Sequence, residues 1–194
     1  MTAQNSPATK CPMQARVCSA GHLPFIDNAL RPLIHSPRKL FGPYVRSGYT
    51  CLDIGCGGGF ASMGLARLVG PTGTVISADL QPEMLQRVAR RAQREGLADR
   101  IRTHQCRSDR IGLEQQVDFA LAFWMLHEAP DPAGLLAEVY SLLRPGGRFY
   151  VIEPGIHVSR ELFEEALQDA GEAGFTIVDT PRVTMSRAVV LGRS

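Results

Sequence analysis

The sequence predicts an α/β fold in which helices cover both faces of a mostly parallel β-sheet. From Tyr49 onward, short apolar segments alternate with amphipathic helical segments, and repeated strand–helix–strand units are typical of parallel sheets. At residues 51–60 a strand runs through a glycine-rich loop into a helix, which indicates a ligand site at one edge of the sheet. The 194 residues suit one such domain.

The composition excludes several classes of protein. A hydrophobic share of 44% with a charged share of 21% is that of an ordinary globular domain. The formal net charge of +2 is too small to indicate a nucleic acid or an anionic membrane as partner. No apolar run approaches the ~18 residues of a membrane span. The five cysteines have no C-x-x-C spacing, and without a recognisable signal peptide this scattered set suggests a reducing cytoplasm.

The N-terminal quarter is expected to form a lid. Two short helices are predicted at 25–34 and 37–45, and their apolar residues suit packing against a larger core. We therefore divide the chain into an N-terminal segment with lid helices, 1–48, and a ligand-binding domain, 49–194.

The elements of the domain are predicted from periodicity and from the turn residues between them. Strands are predicted at 50–54, 74–78, 101–106, 117–123, 148–152, 175–179 and 188–191. Helices are predicted at 60–69, 82–95, 132–143 and 159–170. Asp131-Pro132 has the residues of a helix start, and Arg144-Pro145-Gly146-Gly147 those of a helix stop. The arginines on the outer face of the helix at 82–95 are interpreted as a solvated face.

The decisive segment is Cys51-Leu52-Asp53-Ile54-Gly55-Cys56-Gly57-Gly58-Gly59-Phe60. The dinucleotide fingerprint G-x-G-x-x-G fails here, because its third glycine is Phe60 or Ser62, depending on the frame. Asp53 would repel a pyrophosphate but would attract the ammonium group of an amino-acid moiety. S-adenosylmethionine carries that ammonium group and no phosphate, so the loop favours this cofactor over NAD.

Three segments carry a resemblance to a known family. The sequence LDIGCGGG at 52–59 resembles motif I of the class I S-adenosylmethionine-dependent methyltransferases. Residues 117–128 and 142–148 resemble the family's fourth strand with its exit and the loop that enters its fifth strand. The resemblance implies a Rossmann-like class I methyltransferase fold, with a seven-stranded, mostly parallel sheet whose last strand is antiparallel.

The resemblance also implies which residues bind the cofactor. Asp79, at the end of the second strand, would accept hydrogen bonds from both ribose hydroxyls or, alternatively, would cap the next helix. Arg107 stands where the family places an aspartate against the adenine amino group; because arginine only donates, Ser108, Asp109 or a backbone carbonyl would have to substitute. Tyr44 is predicted to reach the cofactor's carboxylate from the lid. The other predicted cofactor-binding residues are Asp53, Gly55, Cys56, Gly57, Gly59, Leu80, Cys106, Ser108 and Phe123.

The methyl acceptor is expected beyond the carboxyl ends of the fourth and fifth strands. Methyl transfer is an in-line displacement, and an oxygen or sulfur nucleophile must also lose a proton to a base. His127 is the predicted base, although a capping or packing role suits it equally well. Glu128, which orients the histidine or faces solvent, and Glu153, which would bind the acceptor, complete the predicted catalytic set. We predict no resident metal.

The leading hypothesis is a methyltransferase for a small molecule, without nucleic acid or membrane as partner, and with a homodimer as an alternative to the monomer. The segment Ala122-Phe123-Trp124-Met125 lacks the Asn-Pro-Pro-Tyr type of motif of adenine and glutamine methyltransferases. Three alternatives stay open: a non-catalytic S-adenosylmethionine-binding regulatory subunit, an NAD-linked oxidoreductase, and a metalloid methyltransferase that holds arsenic with Cys11 and Cys18.

Overall fold

The computed structural model describes residues 35–194, which form one seven-stranded sheet with α-helices on both faces. The strands are β1 (Thr50–Ile54), β2 (Thr74–Asp79), β3 (Ile101–Gln105), β4 (Val117–Phe123), β5 (Leu143–Pro154), β6 (Thr176–Asp179) and β7 (Ser186–Gly192). The α-helices are α1 (Pro37–Phe41), α2 (Phe60–Val69), α3 (Pro82–Arg94), α4 (Pro132–Leu142) and α5 (Arg160–Glu172), and a 3₁₀ turn spans Leu126–Glu128.

The strand order is β3-β2-β1-β4-β5-β7-β6. The first five strands of this order pair in parallel, whereas β7 is antiparallel to both β5 and β6. This confirms the predicted fold class. The connections leave β1 towards one side of the sheet and β4 towards the other, so a crevice forms at their carboxyl ends, where open α/β sheets bind their ligands.

Two apolar layers enclose the sheet, and β4 shows how one strand serves both. Phe119, Leu121 and Phe123 face the layer that includes residues of α1, α2 and α3, whereas Ala120 and Ala122 face the layer of α4 and α5. This alternation follows the period of two of a strand. A parallel strand that is buried on both faces needs apolar side chains at every position. This accounts for the Phe-Ala-Leu-Ala-Phe sequence of β4.

The structure shifts at least one boundary of most predicted elements by one or two residues and corrects two boundaries by more. The predicted helix at 37–45 ends at Phe41, and Tyr44 and Val45 form a turn by donating their N–H groups to the carbonyl oxygen of Phe41. The fifth strand begins at Leu143 and not at residue 148, because Leu143 already pairs with Val117 of β4 and Gly146 donates its N–H to the carbonyl oxygen of Arg193. The helix predicted at 25–34 lies outside the described residues.

No helix among residues 35–194 is long and apolar enough to cross a membrane.

Candidate active site

A cavity of about 470 Å³ opens at the carboxyl ends of β1, β2 and β4; we call it the first cavity. It lies at the crevice where the strand order reverses, as the topology requires. The structure brings most of the predicted site residues to its walls: Asp53, Gly55, Cys56, Gly57, Asp79, Leu80, Cys106, Arg107, Ser108, Phe123 and Glu128. Of the remaining predicted residues, Gly59, Tyr44, His127 and Glu153 are not among the lining residues.

The glycine loop lies against the cavity, and its three positive-φ glycines have different surroundings. Gly55, Gly57 and Gly59 have φ values of 64°, 49° and 83°, which residues other than glycine rarely adopt. A Cβ atom at Gly55 would lie 2.9 Å from the Cβ of Met125, and one at Gly59 would lie 3.0 Å from Cγ2 of Val88. A Cβ atom at Gly57 would meet no atom within 4 Å. Gly57 therefore leaves room for a ligand, whereas the other two permit close packing.

Asp79 connects the glycine loop to the start of α3. Its carboxylate accepts hydrogen bonds from the N–H of Gly57 at 3.0 Å and from the N–H of Gln81 at 2.9 Å. The side chain is largely buried and still lines the cavity. Asp79 thus fixes the turn before the helix but does not cap it, because the N-cap is Gln81 and no side chain caps this helix. Its position leaves it available to ribose hydroxyls.

Asp53 is stabilised by the Ser62 hydroxyl, which is itself held by Ser77. The carboxylate is 1% exposed and accepts a hydrogen bond from the Ser62 hydroxyl at 2.5 Å. Ser62 in turn accepts a hydrogen bond from the Ser77 hydroxyl at 2.8 Å. A buried carboxylate requires such donors, and this chain of hydroxyls holds a negative charge at the cavity wall.

The two cysteines at the cavity are neutral thiols. Burial raises the pKa of Cys56, and it raises the pKa of Cys106 to about 12. The carboxylate of Asp79 raises both pKa values further. Because the thiolate is the reactive form of cysteine, neither side chain is a nucleophile at neutral pH.

The walls of the cavity are acidic. The lining carboxylates are Asp53, Asp79, Asp109, Glu128, Asp131 and Glu138, against the guanidinium groups of Arg107 and Arg110. Arg107 forms an ion pair with Asp109, with Nε and Oδ1 3.1 Å apart. In a cavity partly shielded from solvent, this excess of carboxylates favours a cationic ligand.

His127 and Glu153 form a pair beside this cavity. Nδ1 of His127 lies 2.5 Å from Oε2 of Glu153, and the carboxylate also accepts the backbone N–H groups of Leu126 at 3.0 Å and His127 at 3.4 Å. Burial alone would lower the pKa of His127, but the hydrogen bond and charge of Glu153, with the charge of Glu128, outweigh it and raise that pKa. Nε2 of His127 lies 4.0 Å from Oε1 of Glu128, which lines the cavity.

The geometry corrects the expected roles of Glu153 and Tyr44. Glu153 is 2% exposed and lies behind His127, so its position suits the orientation of the histidine, not contact with an acceptor. The hydroxyl of Tyr44 donates to Oδ2 of Asp179 at 2.5 Å, away from the first cavity. Gly59 turns its Cα towards α3, since its closest neighbour is Val88.

Several lining residues were not predicted from the sequence. Glu138, on α4, accepts the backbone N–H groups of Ile111 and Gly112, both at 2.8 Å, and thereby holds the loop that follows β3. Trp124, whose position after the fourth strand suits either a pocket wall or a packing role, lies at the cavity wall with φ of 61°. Backbone strain of this kind is concentrated at functional sites. No local sequence pattern places residue 138 beside residue 111. A single sequence therefore carries no signal that Glu138 lines the cavity.

Comparison with known proteins agrees with this geometry. The fold and the site define a class I methyltransferase architecture: a structure described as a SAM-dependent methyltransferase from Aquifex aeolicus superposes with a TM-score of 0.82 at 23% identity, covering 91% of this chain and 99% of that one. Residues 45–181 match the family model described as a methyltransferase domain. The chain therefore belongs to this methyltransferase family, and the family and fold imply S-adenosylmethionine as the cofactor.

Two curated relatives act on different acceptors, as their names state. An arsenite methyltransferase of Aquipseudomonas alcaligenes is 31% identical over 137 residues, which are 67% of this chain and 39% of that protein. A demethylmenaquinone methyltransferase of Lactobacillus johnsonii is 31% identical over 112 residues, 56% of this chain and 45% of that protein. The chain thus spans less than half the length of these relatives.

The residues present fit S-adenosylmethionine. The open face of Gly57 leaves space against the loop, the carboxylate of Asp79 can accept from ribose hydroxyls, and the charge of Asp53 suits an ammonium group. The acidic walls suit the positive charge of a sulfonium.

Proposed function

We propose that this protein is an S-adenosylmethionine-dependent methyltransferase that acts on a small molecule. The observation that carries the proposal is the acidic first cavity between the glycine loop and the exit of β4. Its volume of about 470 Å³ lies within the range of small-molecule sites, roughly 300–1,000 Å³. The acidic walls and the acceptor-only carboxylates at two strand ends favour a cationic, hydroxyl-bearing ligand.

In this proposal, different residues of the chain bind different parts of the cofactor. Asp79 accepts from the ribose hydroxyls, Asp53 attracts the ammonium group, and Leu80 packs beside the adenine ring. Cys106, Arg107 and Ser108 border the adenine end, where Asp109 supplies an acceptor in place of the usual aspartate. When bound, S-adenosylmethionine supplies an electrophilic methyl group whose carbon–sulfur bond breaks as the acceptor's lone pair attacks in line.

The chain's own contribution to the chemistry is alignment, exclusion of water and removal of a proton. Trp124, Met125 and Leu135 give the acceptor side of the cavity an apolar wall, which excludes water from the line of attack. With Nδ1–H donating to Glu153, the lone pair of His127 is on Nε2. An acceptor hydroxyl or thiol would lose its proton to that Nε2, while the buried Glu153 holds the imidazole in this tautomer and stabilises the imidazolium that forms.

The identity of the acceptor is a separate proposal. Arsenite and demethylmenaquinone methyltransferases are among the relatives, and both names specify small acceptors. If arsenite were the acceptor, the thiols of Cys11 and Cys18 would be expected to hold the arsenic. Both cysteines lie outside the described residues. Among residues 35–194 no group of three or more metal-ligating side chains is found. We propose a cytoplasmic protein whose partner is a small methyl acceptor, in which residues 1–48 serve as a lid.

Calorimetric titration tests the proposal. The wild-type protein is expected to bind S-adenosylmethionine and S-adenosylhomocysteine with micromolar affinity and not to bind NAD. Asp79→Asn should lose this binding, while Glu165→Gln, on the exposed face of α5, should retain it. Binding of NAD alone would overturn the assignment, and binding of the two adenosyl compounds without turnover on a panel of hydroxyl, thiol, ring-carbon and arsenite acceptors would favour a regulatory subunit.

A further inference from the structure

A second cavity, of about 360 Å³, lies beside the first. It is formed by residues of α1, by the turn that follows α1 and by the segment 181–184 that precedes β7. His35 lines it, and the ring of His35 packs edge-on against Phe123 and Trp124, with centroid distances of 5.4 and 5.5 Å. Phe123 and Trp124 line the first cavity. A single layer of aromatic rings therefore separates the two cavities.

The floor of the second cavity contains an unpaired hydroxyl. Tyr150, in the middle of β5, is 0% exposed and lines the cavity, and its hydroxyl has no hydrogen-bond partner within the described part of the chain. Burial raises the pKa of this hydroxyl, and nearby Tyr44 and Asp179 raise it further, so it is a neutral donor. Buried donors in proteins are nearly always paired, which indicates that Tyr150 has a partner that enters the cavity.

The rim of the second cavity carries two positive charges. Lys39 and Arg182 line it from opposite segments, and within residues 35–194 neither forms an ion pair. Asp179 lies close by, but its carboxylate accepts the hydroxyl of Tyr44 and the N–H of Thr180. Asp179 keeps its negative charge in these hydrogen bonds, but the two cations outnumber it, and two cations above a buried donor are suited to an anion.

The remaining wall is apolar and suits the body of an organic molecule. It is formed by Leu40, Pro43, Pro181 and Val183. We propose that the second cavity binds an organic anion, a carboxylate or a phosphate on an apolar body, with Tyr150 donating to the anion and Lys39 and Arg182 neutralising it. The aromatic layer of His35, Phe123 and Trp124 separates this anion site from the first cavity. This inference goes beyond the proposed function and concerns a second ligand site.

Three phenyl compounds serve as probes in ¹⁵N NMR titrations of the full chain: benzoate, phenyl phosphate and uncharged benzamide. Benzoate or phenyl phosphate should shift the amide resonances of Lys39, Arg182 and Thr184, and the tighter of the two identifies the acidic group. Benzamide should bind at least about tenfold more weakly, because it lacks the charge. The proposal is overturned if neither anion shifts these resonances, or if benzamide binds as tightly as the anions.

Matched variants separate the cavity's donor from its cations. Tyr150→Phe should weaken anion binding about fivefold without lowering the melting temperature, because the hydroxyl has no partner to lose. Tyr140→Phe, in the opposite apolar layer against Phe175, should leave both quantities unchanged. Lys39→Gln with Arg182→Gln should abolish anion binding. Equal anion affinity in wild type and in these cavity variants would overturn the proposal.

The affinity of each variant for S-adenosylmethionine distinguishes this proposal from the proposed function. None of the three substituted cavity residues lines the first cavity, so their variants should bind S-adenosylmethionine as the wild type does. Wild-type protein that binds benzoate but no adenosyl compound would contradict the methyltransferase proposal alone. Wild-type protein that binds S-adenosylmethionine but none of the anions would contradict the anion site alone.

Discussion

His127 and Glu153 form a hydrogen-bonded pair in which only the histidine reaches the surface. The His127 side chain is 28% exposed and the Glu153 side chain 3%. The carboxylate is held from the other side by the backbone N–H groups of residues 126 and 127, so the 3₁₀ turn and the end of β5 fix the imidazole together. A histidine with Nδ1 held by Glu153 and Nε2 turned towards Glu128 at the cavity wall is arranged as a general base.

Removal of the imidazole should slow turnover without affecting the cofactor. For an acceptor that must lose a proton, His127→Gln is expected to lower kcat by about 10²- to 10⁴-fold, with an unchanged dissociation constant for S-adenosylmethionine. Steady-state kinetics and calorimetry measure the two quantities. His157→Gln is the control, because that ring lies 6.4 Å from His127 but is not part of the pair. Unchanged kcat in His127→Gln would remove the histidine from the mechanism.

The charge of Glu153 should set the pH at which activity appears. The base must be neutral, so kcat/KM should rise with pH through the raised pKa of His127. Glu153→Gln removes the charge that raises this pKa. The rise of kcat/KM on the acidic side of the pH–rate profile, its acidic limb, should therefore move to lower pH. The pH–rate profile and a ¹³C NMR titration of the histidine should report the same shift. An acidic limb that stays in place in Glu153→Gln would show that another group controls it.

The same pair should couple stability to pH. Because the pKa of His127 is raised in the folded state, the charged imidazole stabilises the protein fully below the unfolded value of about 6.5 and ceases to do so as the pH rises through the folded value. The difference in unfolding free energy between wild type and His127→Gln should therefore be largest at acidic pH. Urea denaturation at several pH values measures it; a difference that grows towards alkaline pH would contradict the assignment.

The hydroxyl chain beneath the glycine loop should contribute to stability. Ser62→Ala removes the donor to Asp53 and the acceptor of Ser77 at once, and we expect the unfolding free energy to fall by about 1–3 kcal/mol. Denaturant titration provides the measurement. Ser141→Ala, at an exposed position of α4, should change it by less than about 0.5 kcal/mol. An equal effect of the two substitutions would mean that Asp53 does not depend on Ser62.

The glycines of the loop should respond differently to the same change. Gly57→Ala adds a methyl group in open space and should weaken S-adenosylmethionine binding with a stability loss of about 1–2 kcal/mol from the positive φ. Gly55→Ala should lose more stability, because its Cβ would press against Met125. Calorimetry and thermal denaturation separate the two effects. Unaltered binding in Gly57→Ala would place the cofactor elsewhere.

The local features of the fold were predictable from the sequence. The predicted bounds of β1, α2 and β4 are those of the structure, since each is marked by a clear apolar pattern and a turn or glycine at its end. The cavity residues from the glycine loop and Asp79 were likewise predictable, because the chemistry of their side chains is joined to a strand end.

Relations between distant residues were not predictable. Tyr44 was assigned to the cofactor, but its partner is Asp179, 135 residues away. His127 and Glu153 were each identified, yet the hydrogen bond between them depends on the pairing of β4 with β5. The early start of β5 depends on the pairing of Leu143 with Val117 of β4, and Arg193 supports it by donating to the carbonyl oxygens of Tyr140, Ser141 and Leu143.

The position of β7 between β5 and β6 has a consequence for how the sheet is assembled. In the sheet, β6 hydrogen-bonds to β7, and β7 to β5. Residues 176–179 therefore join the sheet only through residues 186–192, either after β7 has paired with β5 or together with it as a hairpin. Strand β6 cannot be part of the sheet before β7 has been synthesised, and pairing between distant strands such as β5 and β7 slows folding. Until β7 pairs with β5, the edge of β5 that carries Tyr150 is open and the segment 181–184 is not held beside it, so the second cavity should be completed in a late step.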